Sequence, residues 1–292
     1  MKTYVWLVKR EFWENRAIWI IPAAIVVLLT LASLFGTIEA TFFDSAERTR
    51  SMAGLMFLAF GALFFSALSI YSYWYLLDCL YTDRRDRSVL FWKSLPISDT
   101  ATVLSKLFVA LVAMPLLYFA AADAASLLAA FVLSVRAHSL LGNALWQPDV
   151  WLQLQAIWLY VIVTTAIWYL PVTGWLLLIS AWAKRAVMLW SVLPPLAVIL
   201  AERLFIGTHA CLSAIGDRLI GYTSTAFNSH AYAWADQWSG DQPSAISSGA
   251  PSAWRILDPW GFLSSPSTWI GALVGSALIA AAVQLRKRKA DQ

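Results

Sequence analysis

The chain has 292 residues, of which 60% are hydrophobic and 14% aromatic, while only 13% carry charge. Soluble globular chains average about 25% charged residues, so the composition excludes an ordinary soluble domain and a disordered chain alike. The net charge of +4 is no nucleic-acid signature either, because the basic residues follow a membrane topology rather than a patch.

Met1–Arg16, MKTYVWLVKREFWENR, opens the chain. At about 100° per residue, Met1, Tyr4, Val5, Val8 and Phe12 share an apolar stripe, with Lys2, Lys9, Arg10 and Glu14 outside it. The expectation is an amphipathic helix over 1–16 lying along the inner membrane interface; the competing reading is a soluble basic flank. Crossing a bilayer takes about 20 apolar residues, and runs of that kind follow in order. They are Ala17–Ile38, Ser51–Leu77, and the stretch from Lys106 to Val135 interrupted only by Asp123. Val150–Ala183, Ala186–Ala201 (extended past Glu202-Arg203) and Pro259–Leu285 complete the set. Sixteen mostly polar residues precede the first run, it exceeds 20 residues and no clean A-x-A site closes it, so it reads as a retained helix rather than a cleaved signal peptide. Pro171 and Pro194-Pro195 are expected to kink the fourth and fifth spans. Trp168, Trp175 and Trp182, seven residues apart, read as packing or lipid-facing aromatics.

With the N-terminus inside, fifteen of the 21 Lys and Arg residues fall on the cytoplasmic side. The expected fold is an all-α polytopic membrane protein. Six transmembrane helices and the N-terminal interfacial helix form one domain over 1–292, with both termini cytoplasmic. Residues 82–105 form a cytoplasmic loop. Residues 207–266 form a long extracytoplasmic one, whose many aromatics imply that it folds back onto the bilayer or the helix bundle. Cys79 and Cys211 lie on opposite sides and cannot pair.

No Gly is followed by Lys, so a Walker phosphate loop is absent. No Ser/His/Asp constellation or metal-ligand spacing is present, so the expectation includes no catalytic residue, no metal and no cofactor bound by this chain. Three other features are candidates for function. In the 82–105 loop, the charged Arg84, Arg85, Asp86 and Arg87 precede the apolar Leu90, Phe91 and Trp92. Pro96 ends any helix there, and Ser98 or Asp99 caps the next one. Chemistry alone leaves two readings level: a docking element for a cytosolic partner, or aromatics resting in the interface. Asp123 lies in the outer half of the third span. It either contacts a transported substrate or is a carboxyl hydrogen-bonded between helices. Asp78, near the inner end of the second span, is read as a structural partner of Arg84 or Arg85. Gly271 and Gly275 have the GxxxG spacing that lets two helix backbones approach, as an internal contact or a dimer seam.

Several segments carry a family resemblance. Tyr75-Leu76-Leu77-Asp78-Cys79-Leu80, Asp83-Arg84-Arg85-Asp86-Arg87, Trp92-Lys93-Ser94-Leu95-Pro96-Ile97-Ser98 and Ser105-Lys106 resemble the permease subunits of bacterial type-2 ATP-binding-cassette (ABC) exporters. That family carries Leu-Pro-(Ile or Val)-Ser followed by Ser-Lys after its second span. LVKREFWENR resembles the family's interfacial elbow helix. Ser265-Pro266-Ser267-Thr268-Trp269-Ile270-Gly271, with the apolar helix and basic tail beyond it, resembles the family's last span.

The resemblance implies a multi-pass subunit of the bacterial cytoplasmic (inner) membrane, paired with a second permease copy as a homodimer. The pair sits on two copies of a cytosolic ABC ATPase that binds ATP and Mg. Arg84 to Trp92 would be the coupling segment, with Phe91 and Trp92 as its anchors. Few intramembrane charges and abundant aromatics fit an amphipathic or apolar cargo such as a lipid, peptide or drug. The alternative expectation is an ATPase-independent secondary transporter or channel that uses Asp123.

Overall fold

The computed structural model describes residues 2–36, 46–85, 98–136, 146, 148–228 and 256–290. Among them the only pairing outside helices is an antiparallel bridge between Phe227 and Leu257. Among the described residues six helices are long and apolar enough to cross a membrane. The chain is an all-helical polytopic membrane protein.

In chain order the elements are α1 (Lys2–Glu14), α2 (Ala17–Phe35) and α3 (Ala46–Arg85). Then come α4 (Asp99–Arg136), α5 (Pro148–Trp168), α6 (Leu170–Trp182) and α7 (Val187–Phe205). Three short helices, α8 (Ala210–Ile220), α9 (Tyr222–Ala226) and α10 (Pro259–Ser264), precede the last, α11 (Pro266–Ala290). At 1.5 Å per residue, the 40 residues of α3 reach about 60 Å. That is about twice the hydrocarbon thickness, so α3 extends beyond the bilayer.

Ser98 begins α4: its Oγ accepts from the Ala101 amide at 3.1 Å, the capping bond its position before Asp99 predicts. A π-turn at Val109–Ala113 interrupts α4. One extra residue taken up there rotates the following helix by about 100°. This keeps Met114, Tyr118, Ala122, Ala125 and Ala129 buried on the side where Lys106 is already buried.

The fourth apolar run is two helices. The chain leaves helical geometry at Tyr169 (φ −86°, ψ 9°), and Pro171 stands in the first turn of α6, where its missing N–H is tolerated. Hydrogen bonds from the Tyr169 amide to Thr165 O and from the Thr173 amide to Tyr169 O bridge the joint, which is therefore a kink. α7 runs unbroken through Pro194 and Pro195, and Ala186 before it sits at φ 50°. Only Ser191 and Glu202 of α7 are buried. Ser191 holds the helix to its neighbours, bonding Tyr73 Oη at 2.9 Å and accepting from Trp175 Nε1 at its carbonyl.

The main core lies between α2, α3, α4, α6 and α11, around Phe64, Tyr75, Leu76, Leu80, Met114, Tyr118 and Leu177. α6 and α11 meet through glycines. A Cβ on Gly174 would lie 2.7 Å from Gly275 O, and one on Gly275 would lie 2.5 Å from the Leu170 carbonyl carbon. Gly271 leaves room for the Arg218 guanidinium. The GxxxG face is thus filled from within the chain.

The flanks of the 207–266 segment fold back onto α5. Both Glu202 oxygens are taken, by Thr208 Oγ1, the Ala210 amide and the Cys211 amide, which fixes the start of α8. Arg218 stacks 4.4 Å over the Trp168 ring and donates to Ser267 O. Tyr222 Oη meets Thr164 Oγ1 at 2.7 Å, and Phe262 packs beside Trp168. Of the loop's other aromatics, Tyr232, Trp234, Trp238 and Trp254 lie outside the described residues.

Candidate functional site

Four helix ends meet at the end of the bundle that carries α1, and each brings a charge into the contact. α1 contributes Arg10 and Glu11; α3 contributes Asp83 and, about two turns before it, Tyr75; α4 contributes Asp99 and Lys106; α11 contributes Arg286. Glu11 is 1% exposed and Lys106 2%. Charges that far from water persist only when paired and hydrogen-bonded.

The pairing is complete. Lys106 Nζ donates to Glu11 Oε1 at 2.9 Å and lies 3.5 Å from Asp83 Oδ1. Tyr75 Oη donates to the other Glu11 oxygen at 2.8 Å. Arg286 spans two carboxylates, Nε to Asp99 Oδ1 at 2.9 Å and Nη1 to Asp83 Oδ2 at 3.3 Å. Arg10 Nη2 reaches Asp83 Oδ1 at 3.4 Å, and its Nε holds Glu14 at the rim. Two buried carboxylates (Glu11, Asp83) and the partly exposed Asp99 face three cations (Lys106, Arg286, Arg10), so the charges balance apart from Glu14 at the rim. Asp83 is its centre, touched from α1, α4 and α11.

Beside the cluster, Arg84 ties α3 to the end of α6. Its Nη2 donates to Ser180 O and, at 2.9 Å, to Ala183 O. Those are terminal helix carbonyls, where a cation is favoured. Ser180 Oγ in turn accepts from the Leu80 and Tyr81 amides. Arg84 is therefore spent on α6 and Asp78 is exposed, so the expected Asp78–Arg84 pairing is replaced by a helix-terminus contact. Arg85 is exposed, its guanidinium 5.9 Å from the Tyr81 ring.

Helix takes both ends of the 82–105 segment, since α3 runs to Arg85 and α4 starts at Asp99. Asp86, Arg87, Leu90, Phe91 and Trp92 lie outside the described residues. The cluster stands at both ends of that stretch, with Asp83 just before it and Asp99 just after.

Asp123 is elsewhere. Seventeen residues beyond Lys106, it is half-buried on α4 and accepts from Gln155 Nε2 of α5 at 2.9 Å. Gly271 and Gly275 are likewise remote from the ionic cluster. Gly275 abuts Leu170 and Pro171, and Gly271 abuts Arg218.

The face of α1 turned to the bundle is Leu7 and Glu11, with Val8 and Phe12 of the expected apolar stripe partly covered, while Tyr4 and Val5 of that stripe are exposed.

The sequence reading did not single out Glu11, Asp83, Asp99 or Arg286 as site residues, and it took Lys106 as a flanking charge. One signal was available: each lies near a span boundary, and carboxylates of the earlier segments have basic counterparts at Lys106 and Arg286. Among the described residues no group of three or more His, Cys, Asp or Glu is arranged to hold a metal ion. Comparison with protein-family models, curated proteins and solved structures finds no match to this chain.

Proposed function

We propose that the chain is the membrane-spanning permease subunit of a type-2 ABC exporter in a bacterial cytoplasmic membrane. In this reading two copies pair and sit on two copies of a cytosolic ATPase, which binds ATP and Mg. Residues 84–92 dock that ATPase, and the cargo is amphipathic or apolar. The end carrying α1 is then the cytoplasmic end.

One observation supports the reading above the others. The three segments that resemble the exporter family are far apart in sequence, yet a residue of each enters one cluster. Glu11 comes from the elbow-like LVKREFWENR, Lys106 from the Ser-Lys motif and Arg286 from the basic tail. A docking stretch flanked by Asp83 and Asp99 has a ready connection to four helices, because each flanking carboxylate is bonded to Arg286. Movement imposed on 86–97 by a partner would be shared by α1, α3, α4 and α11 rather than absorbed by one of them. Arg84 extends the connection to α6.

The test is a search for a P-loop ATPase gene beside this one and co-expression of its product with the chain, with purification through a tag on the chain. The native chain is expected to carry the ATPase with it, and the Phe91→Ala/Trp92→Ala variant to lose it. Absence of any ATPase from the native preparation would contradict the proposal. Ion flux measured with Asp123→Asn would then examine the channel reading.

A further inference from the structure

α1 has a second face that the ionic cluster does not use. Trp6, Lys9 and Trp13 stand at i, i+3 and i+7, opposite Leu7 and Glu11. The two indoles are 60% and 62% exposed. Lys9 Nζ lies 5.2 Å from the Trp6 ring centre and 5.1 Å from that of Trp13, held between them. Among the described residues no carboxylate comes within 4 Å of Lys9.

The negative charges of α1 are drawn off this face. Glu11 points into the cluster, and Glu14 is bonded to Arg10. The face is therefore cationic and aromatic, and among the described residues no anion completes it.

Depth in the membrane follows from connectivity. Only Asn15 and Arg16 separate α1 from α2, and backbone bonds from Ile18 to Asn15 and from Ile20 to Arg16 keep the junction tight. A helix held that close to the start of a membrane span lies at headgroup level. Indoles favour that layer, where one edge meets hydrocarbon and the N–H meets water.

We infer that the Trp6–Lys9–Trp13 face binds the phosphodiester headgroup of an anionic phospholipid. The ammonium meets the phosphate oxygens, and the two indoles flank the glycerol and upper acyl carbons. This site does not depend on the exporter reading.

The experiment uses the full chain reconstituted into vesicles of phosphatidylcholine and phosphatidylglycerol, with bromine on the acyl chains of one lipid at a time. The quenching difference between the native chain and Trp6→Phe/Trp13→Phe isolates these two indoles. Both side chains are exposed, so the substitutions leave the packing intact. The expected preference for phosphatidylglycerol at this site is about five-fold, the equivalent of the roughly 1 kcal/mol that one lysine contributes near an anionic surface. Lys9→Gln should bring the ratio to about one, and Lys9→Arg should retain it. Equal quenching by both lipids in the native chain overturns the inference. So does a Lys9→Gln variant that keeps the preference, and so do two indoles that neither lipid quenches, which would place the face in water or against a protein.

Discussion

Without the Lys106 ammonium, Glu11 would sit buried with the Tyr75 hydroxyl and a longer ion pair to Arg10 Nη2 at 3.7 Å, and Asp83 would lose a counter-charge. Removing one partner of a buried pair typically destabilises by about 3–5 kcal/mol, and we expect Lys106→Met to fall in that range when unfolding is followed in detergent. Glu11→Gln combined with Lys106→Met removes one charge of each sign and leaves the cluster balanced. Its loss should be smaller than the sum of the single losses by about 0.5–3 kcal/mol; strictly additive losses would show that the two side chains do not interact. Ala186 offers an independent check. At φ 50° its Cβ is crowded, so Ala186→Gly should raise stability by about 1 kcal/mol. Lys106 also shows what sequence conceals at this scale. A lysine seven residues into a helix that opens at Asp99 has the same neighbours in sequence whether it snorkels to water or is buried, and the helices that meet around it make the difference.

Individual helices were far easier to read than their contacts. The apolar runs predict the spans because a bilayer demands about 20 uncharged residues whatever lies beside them. The cap after Pro96 was legible as Ser98 or Asp99, and the structure gives it to Ser98. The break in the fourth run was legible at Pro171, though the chain departs from helix two residues earlier, at Tyr169. The role of the GxxxG pair was open, because small residues at that spacing serve any close helix contact. In the structure the two glycines face different neighbours, which separates their expected effects. Gly275→Ala drives a Cβ into Leu170 backbone, which cannot withdraw, and should lose about 1–3 kcal/mol. Gly271→Ala meets only the end of the Arg218 side chain, which can swing aside, and should lose clearly less. Equal losses in thermal unfolding would contradict the α6–α11 packing described here.

Across the whole molecule, charge was visible in the sequence as an excess on one side of the membrane, and the structure resolves that excess into two uses. One set of ionic groups is buried and binds helices together, through Asp83, Lys106, Arg286 and Glu11. Another remains on the surface, with Lys9 between two indoles. The sequence could not separate them, because the mixed charges Lys9, Arg10, Glu11, Glu14 and Arg16 along LVKREFWENR fit a solvated face as well as a divided one. Under the proposed exporter function, the buried set is the mechanical link between the 86–97 stretch and the bundle. This link predicts that docking and coupling are separable. The decisive measurement is the ATP hydrolysis rate of the partner ATPase bound to the reconstituted chain, compared across three forms. The native chain should bind the ATPase and alter its rate, and Phe91→Ala/Trp92→Ala should bind none. Glu11→Gln/Lys106→Met should still bind the ATPase but leave its rate at the value of the free enzyme. If that double variant alters the rate as the native chain does, the cluster holds the fold together without transmitting anything, and the central claim fails.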